Sequence, residues 1–302
     1  MKLCEWTRKS LNSGRGCYKM VFYGIRSHRC MQCTPALNCN LACRFCWRVT
    51  PTDAGVGMDE LEMPEWDAPE EMVEGMVAAQ RDIVSGFKGD GRVSRDKWEE
   101  ARDPAHVALS LTGEPMLYPM MSELLAAFHK RKFSTFLVTN GTRPESLEGL
   151  ETLPTQLYLS LQAPDRKTYL RTTRPQFAGA WERNQESLAV MRGLRGKTRR
   201  VLRMTLVKGL NMNNAEGYAA QIGLAEPEYV EVKAFSFVGG SRLPGRGLSM
   251  KCVPAHEEIK AFAQKLSQLT GYIPSAEHIP SRVVLLCRDD KAAEERIMRF
   301  ER

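Results

Sequence analysis

Cys39, Cys43 and Cys46 form a CxxxCxxC run in the stretch Asn38-Cys39-Asn40-Leu41-Ala42-Cys43-Arg44-Phe45-Cys46-Trp47. Three thiolates this close suit a metal. Structural zinc takes four ligands, and no second nearby pair has zinc-finger spacing, whereas a cubane iron-sulfur cluster on three cysteines keeps one iron open to substrate. A purely structural thiol cluster is the alternative. Arg44 and Arg48 flank the thiols, either to raise a cluster's potential or simply as exposed cations. Cys4, Cys17 and Cys30 recur at intervals of thirteen residues in a basic segment with little periodicity. They suggest a second iron-sulfur centre, whose binding would supply folding free energy to that segment; free thiols packed as small apolar residues are the other reading. Cys33 falls between Cys30 and Cys39 and competes with Cys30 as a ligand, while Cys287, in an apolar run, reads as core. The five histidines show no ligand spacing, and His28, beside Cys30, is the one nearest a site.

The elements that must position these residues are legible further along the chain. Residues 1–34 read as an irregular cap, and a helix is expected from Asp67 to about Phe87, with Pro69 and acids at its positive end. Residues 88–103 read as a charged surface insertion. From residue 106 short apolar strands (106–111, 134–139, 156–161, 200–207, 229–235) alternate with helical patterns (120–130, 178–192, 215–225), which argues for a parallel sheet in residues 35–240. Residues 241–302 form a tail with a helix at 255–269 and a strand at 283–287. Parallel strands present ligands at their carboxyl ends, so Thr112-Gly113-Glu114-Pro115, Asn140 and Ser160 are singled out by position, against a plain turn role. Glu231 and Lys233 share one face of a strand, as a site or as an internal salt bridge.

The chain has 302 residues, 43 Lys plus Arg against 36 Asp plus Glu, and 43% apolar residues, which excludes general disorder. No stretch approaches the roughly 20 apolar residues that cross a bilayer. The first residues lack a secretion signal, so a cytoplasmic, reducing location is expected and cystines are not. Charge is uneven: residues 1–50 carry nine bases and one acid, and residues 51–120 six bases and sixteen acids. The run from Arg192 to Lys208 has seven cations and no acid. It reads either as a solvated edge or as a phosphate contact.

The CxxxCxxC spacing, with Phe45 between the last two cysteines, resembles the signature of radical S-adenosylmethionine enzymes, and Thr112-Gly113-Glu114 stands where that superfamily has Gly-Gly-Glu. Together with Cys4, Cys17-Tyr18-Lys19, the segment Tyr23 to Cys30, Ser110 to Pro115 and Val230-Glu231-Val232-Lys233, the chain resembles the 4-demethylwyosine synthase family. That resemblance implies a partial (β/α)6 barrel with an iron-sulfur cap and a C-terminal α/β extension. It implies two [4Fe-4S] clusters, one on Cys39, Cys43 and Cys46 and one on Cys4, Cys17 and Cys30. S-adenosylmethionine would contact Phe45, Thr112, Gly113, Glu114, Asn140 and Ser160. Lys19 would capture pyruvate as an imine. An adenosyl radical would take hydrogen from the N1-methyl group of a guanosine beside the anticodon of phenylalanine tRNA; the methylene radical would add to the carbonyl-derived carbon of pyruvate held on Lys19, the pyruvate carboxyl carbon would leave, and the third ring would close on the exocyclic amine. Some family members carry a flavodoxin-like domain that nothing here matches, so the electron donor would be a separate flavodoxin-type protein or a segment outside this sequence. The tRNA contacts would be the N-terminal basic segment and the Arg192–Lys208 run. The competing readings are a radical enzyme acting on a protein or small metabolite, and a non-catalytic RNA-binding protein with structural metal.

Overall fold

The computed structural model describes residues 1–56 and 65–300. In chain order the helices and strands are α1 (Glu5–Ser13), α2 (Tyr18–Tyr23), β1 (Cys30–Cys33), α3 (Pro69–Ser85), α4 (Arg95–Arg102), β2 (His106–Leu109), α5 (Met121–Lys130), β3 (Ser134–Thr139), α6 (Pro144–Glu148), β4 (Gln156–Leu161), α7 (Arg166–Thr173), α8 (Ala180–Gly193), β5 (Arg199–Leu206), α9 (Ala215–Ala225), β6 (Tyr229–Ala234), α10 (His256–Thr270), β7 (Ile273–His278), β8 (Val283–Cys287) and α11 (Asp290–Glu294). The strands form one sheet in the order β1-β2-β3-β4-β5-β6-β8-β7. β1 to β6 are parallel, and β8 and β7 extend the edge antiparallel. Six parallel strands with crossover helices match the expected partial barrel.

Side-chain alternation divides the core in two. Outward residues such as Leu109, Leu137, Leu159, Leu202 and Val232 pack under the helices in the larger cluster. Inward residues Ala108, Phe136, Tyr158, Val201, Tyr229 and Leu285 pack instead around Tyr18, Phe22 and Tyr23 of α2. A short N-terminal helix therefore fills the hollow of the open barrel. Buried Arg200 locks the outer layer, donating to Met191 O at 3.0 Å and Glu226 O at 2.9 Å, where cationic charge meets the negative ends of α8 and α9.

Three expectations change. The segment 1–34 is not irregular: it contains α1, α2 and β1, and β1 is the first strand of the sheet. Its Cys, Arg and Tyr content with little periodicity hid it, while α2 buries Tyr and Lys against the aromatic side chains inside the barrel. The sheet also continues past residue 240 through β8 and β7, crossing the second expected boundary. The 88–103 insertion carries α4, whose Ala101 and Trp98 pack with Leu11 and Val84, so it is partly core. Among the described residues no helix is long and apolar enough to cross a membrane.

Candidate active site

The loop with Cys39, Cys43 and Cys46 lies over the carboxyl ends of the strands and is fastened by its backbone. Leu41 bridges Pro175, Ala42 N donates to Thr173 O at 3.0 Å and Arg44 N to Thr172 O at 2.9 Å. From the other side, buried Arg246 donates to the carbonyls of Ala42 and Cys43 and pairs with Asp53. Gly113, at φ +70°, lets the β2 turn touch this loop: a Cβ there would stand 2.1 Å from Ala36 O and 2.7 Å from Asn38 O. Only glycine fits both the backbone angle and the space.

Glu114 is fully buried, and its carboxylate accepts from Thr139 Oγ1 at 2.6 Å, Asn140 N at 2.7 Å and Met116 N at 3.0 Å. Burial outweighs these donors and pushes its pKa up to about 7. The side chain splices β2 to β3, so what this turn offers a ligand is its backbone. Asn140 donates to Asn40 Oδ1 at 2.9 Å and lies 3.9 Å from Cys39 Sγ. Thr112 O receives the Thr34 hydroxyl at 2.7 Å.

The three thiols of the loop lie in one another's fields. Burial, reinforced by Glu114 and Cys46, pushes Cys39 up to about 12, and Cys43 rises through burial, Cys39 and Cys46. Such thiols hold their protons until cations displace them, which is the donor set iron requires. Cys4, Cys17 and Cys30 form a second group. Burial raises Cys4, with Cys17 adding to it, and burial raises Cys30, with Cys17 and Cys4 adding. Cys4 and Cys17 stand at the N-caps of α1 and α2. Cys30 packs on the inner cluster, whereas buried Cys33, opposite in strand parity, belongs to the outer core. His28 pairs with Glu100 at 2.6 Å. Among the described residues no three Cys, His, Asp or Glu side chains converge tightly enough to chelate one metal ion. A cubane takes one thiolate per iron, so its ligands stand around a cluster, not around a single ion.

Lys19 points from α2 into the barrel, buried, with Nζ 5.0 Å from the ring centre of Phe136 and 4.9 Å from that of Tyr158. Burial, then Arg203, lowers its pKa. Arg203 donates to Glu231 Oε2 at 2.9 Å, and Glu231 Oε1 accepts the Tyr23 hydroxyl at 2.9 Å. Glu231 thus pairs with Arg203 directly across the strands instead of with Lys233, its neighbour on the same strand. Lys233 donates to Ala234 O at 3.1 Å, and burial with Arg203 brings it down to about 8.

A cavity of about 590 Å³ joins the two thiol groups, with Cys4 on one wall and Cys46 on another. Phe45, Ser160, Arg203 and Lys233 also line it, as do Trp6 and Trp47. Of the expected cofactor contacts, Phe45 and Ser160 reach this cavity, while Thr112, Gly113, Glu114 and Asn140 support the cysteine loop. The sequence did not flag Trp6, Trp47 or the inward turn of Arg203. Strand parity with Ser160 was the available signal for Arg203.

The Arg192–Lys208 run is not one surface. Arg192 and Arg195 pair with Glu226, Lys208 pairs with Glu258, and Arg200 and Arg203 are internal. Most of it begins β5 at the end of the barrel opposite the cysteine loop, and the acids that neutralise it come from later elements.

Residues 34–222 match the radical SAM superfamily and residues 224–288 the family described as wyosine base formation. The chain is 50% identical over 295 residues to the S-adenosyl-L-methionine-dependent tRNA 4-demethylwyosine synthase of Pyrococcus abyssi, covering 96% of this chain and 84% of that one. Among solved structures it is similar to TYW1 with a lysine-pyruvate adduct bound, with a TM-score of 0.84 and 35% identity over 96% of this chain and 90% of the other. It also resembles a crystal structure of archaeal TYW1, with a TM-score of 0.76 and 32% identity over 98% and 90%.

Proposed function

This chain belongs to the 4-demethylwyosine synthase family of radical S-adenosylmethionine enzymes, and from that membership we propose that it condenses pyruvate with N1-methylguanosine beside the anticodon of phenylalanine tRNA. It is a tRNA-modifying enzyme that uses an iron-sulfur cluster and S-adenosylmethionine. In this proposal Cys39, Cys43 and Cys46 hold the cluster that binds the cofactor, with Phe45, Ser160 and the backbone of Thr112 to Glu114 around it. Cys4, Cys17 and Cys30 hold a second [4Fe-4S] cluster. When bound, the first cluster and S-adenosylmethionine supply a radical able to take hydrogen from a methyl group. Every other task falls to the chain's own residues. Arg203, Lys233, Trp6 and Trp47 shape the cavity for a base turned out of its stack. Lys19, held dry between two aromatic rings, presents an amine to the pyruvate carbonyl: nitrogen bonds to carbon and water leaves. The electron comes from a separate flavodoxin-type donor, and the enzyme works in the reducing cytoplasm.

The single observation that carries this reading is one buried lysine in the field of Cys17, Cys30 and Arg203, with Arg203 on the wall of the cavity that Cys4 and Cys46 also line. Borohydride reduction in the presence of labelled pyruvate, followed by peptide mass spectrometry, is expected to mark Lys19. Lys19→Ala is expected to abolish tRNA product while keeping about eight irons per chain, four for each cluster. An active Lys19→Ala variant would end the imine proposal. Colourless protein after anaerobic purification, with no dithionite-dependent 5′-deoxyadenosine, would end the two-cluster assignment.

A further inference from the structure

The Gly/Pro-rich turn at 239–247 brackets a group of cations that the chemistry above does not use. Arg44 donates from Nε to Arg246 O at 2.7 Å and from Nη2 to Gly247 O at 3.2 Å. Arg174 donates from Nη2 to Gly245 O at 3.1 Å. Two guanidinium groups are thereby held side by side on three consecutive carbonyls. Gly247 is part of the fit: its φ is +62°, and a Cβ there would stand 2.5 Å from Arg44 Nη2. Arg171, three residues before Arg174 in the same helical turn, is anchored on Leu210 O at 2.5 Å. Backbone bonds from the cysteine loop to Thr172 and Thr173 fix all three to one body.

Arg171 and Arg174 are exposed and Arg44 is half-buried. Among the described residues no carboxylate pairs with any of the three, whereas Arg192, Arg195 and Lys208 each have one. The fixed partners of Arg44, Arg171 and Arg174 are carbonyl oxygens, which orient the guanidinium groups without neutralising them, so N–H donors and net positive charge remain for an anion.

The geometry points to Arg44, Arg171 and Arg174 as a cradle for phosphate groups of the RNA backbone, gripping the substrate beside the cavity that receives its base. This inference rests on the tRNA reading above. Arginine forks suit the oxygens of a phosphate better than a lysine point charge would. Arg44 is followed in the loop by Phe45 and Cys46, both on the cavity wall, so a strand feeding a base into the cavity passes this rim.

The test compares the cluster-loaded parent with Arg171→Gln/Arg174→Gln in binding N1-methylguanosine-containing tRNA over a range of salt. Two lost phosphate contacts are expected to lower the log–log salt slope by about 1.5 and to weaken affinity at least tenfold at physiological salt. Arg171→Lys/Arg174→Lys is expected to recover most of the slope. Pyruvate trapping on Lys19 should equal the parent's, which shows an intact site. A double variant with the parent's affinity and slope overturns the cradle. So does retained tRNA affinity with lost reduction by a flavodoxin, which would make the patch a seat for an acidic protein. A parent that binds no tRNA removes the functional reading itself, a different result from either.

Discussion

At the scale of single residues, the cysteine loop owes its position to a glycine more than to any charge. Gly113 allows the β2 turn to lie against the carbonyls of Ala36 and Asn38, immediately before Cys39. Gly113→Ala places a methyl group in that contact and strains a left-handed backbone. It is expected to destabilise the protein by about 3 kcal/mol in denaturant titration and to reduce the iron retained by the loop. A variant with parent stability and iron content would show that the loop is held elsewhere, for instance by Arg246 alone.

At the scale of elements, strand parity decides which thiols meet. β1 alternates Cys30 inward with Met31 and Cys33 outward, and a one-residue slip would exchange them. Cys30→Ser is expected to cost about four irons per chain, the content of one cluster. Cys33→Ser is expected to keep every iron and lose about 2 kcal/mol of stability, because it sets a hydroxyl among apolar side chains. Iron analysis beside thermal melting separates the two, and iron loss confined to the Cys33 variant would reverse the assignment. α2 plays a matching part: its Tyr18, Phe22 and Tyr23 anchor the inner cluster while Lys19, on the same short helix, lies buried over Phe136 and Tyr158.

At the scale of the whole molecule, the end of the barrel away from the cysteine loop carries a pH-dependent stability element. His106 is buried, with Nδ1 2.6 Å from Ser134 Oγ and Nε2 accepting from Arg26 N at 3.3 Å. That pairing requires the neutral ring. Burial, then Arg29 and Arg26, pushes its pKa down to about 3. The unfolded chain, with an ordinary histidine near 6.5, binds the extra proton first as pH falls, so this contribution is complete above about pH 6.5 and disappears towards pH 3. Relative to His106→Gln, the parent is expected to lose about 4 kcal/mol across that window. Parallel stability–pH curves for the two proteins would refute it.

The sequence by itself determined the chemistry and the fold class. The thiol spacing, the Lys two residues after Cys17 and the alternation of apolar strands with helices are local patterns, and local patterns follow from side-chain type and backbone period alone. Only the tertiary structure decided how those pieces face one another. It made the cap an integral strand and plug, because α2 buries its Tyr, Phe and Lys side chains against the aromatic and aliphatic residues that line the barrel. It chose Cys30 over Cys33 for the inner face through strand parity. It turned Arg203 inward to Glu231 and, among the described residues, left Arg44, Arg171 and Arg174 without acids. Charge balance at a surface depends on which distant segments arrive there, and one-dimensional order does not encode that arrival in any short window.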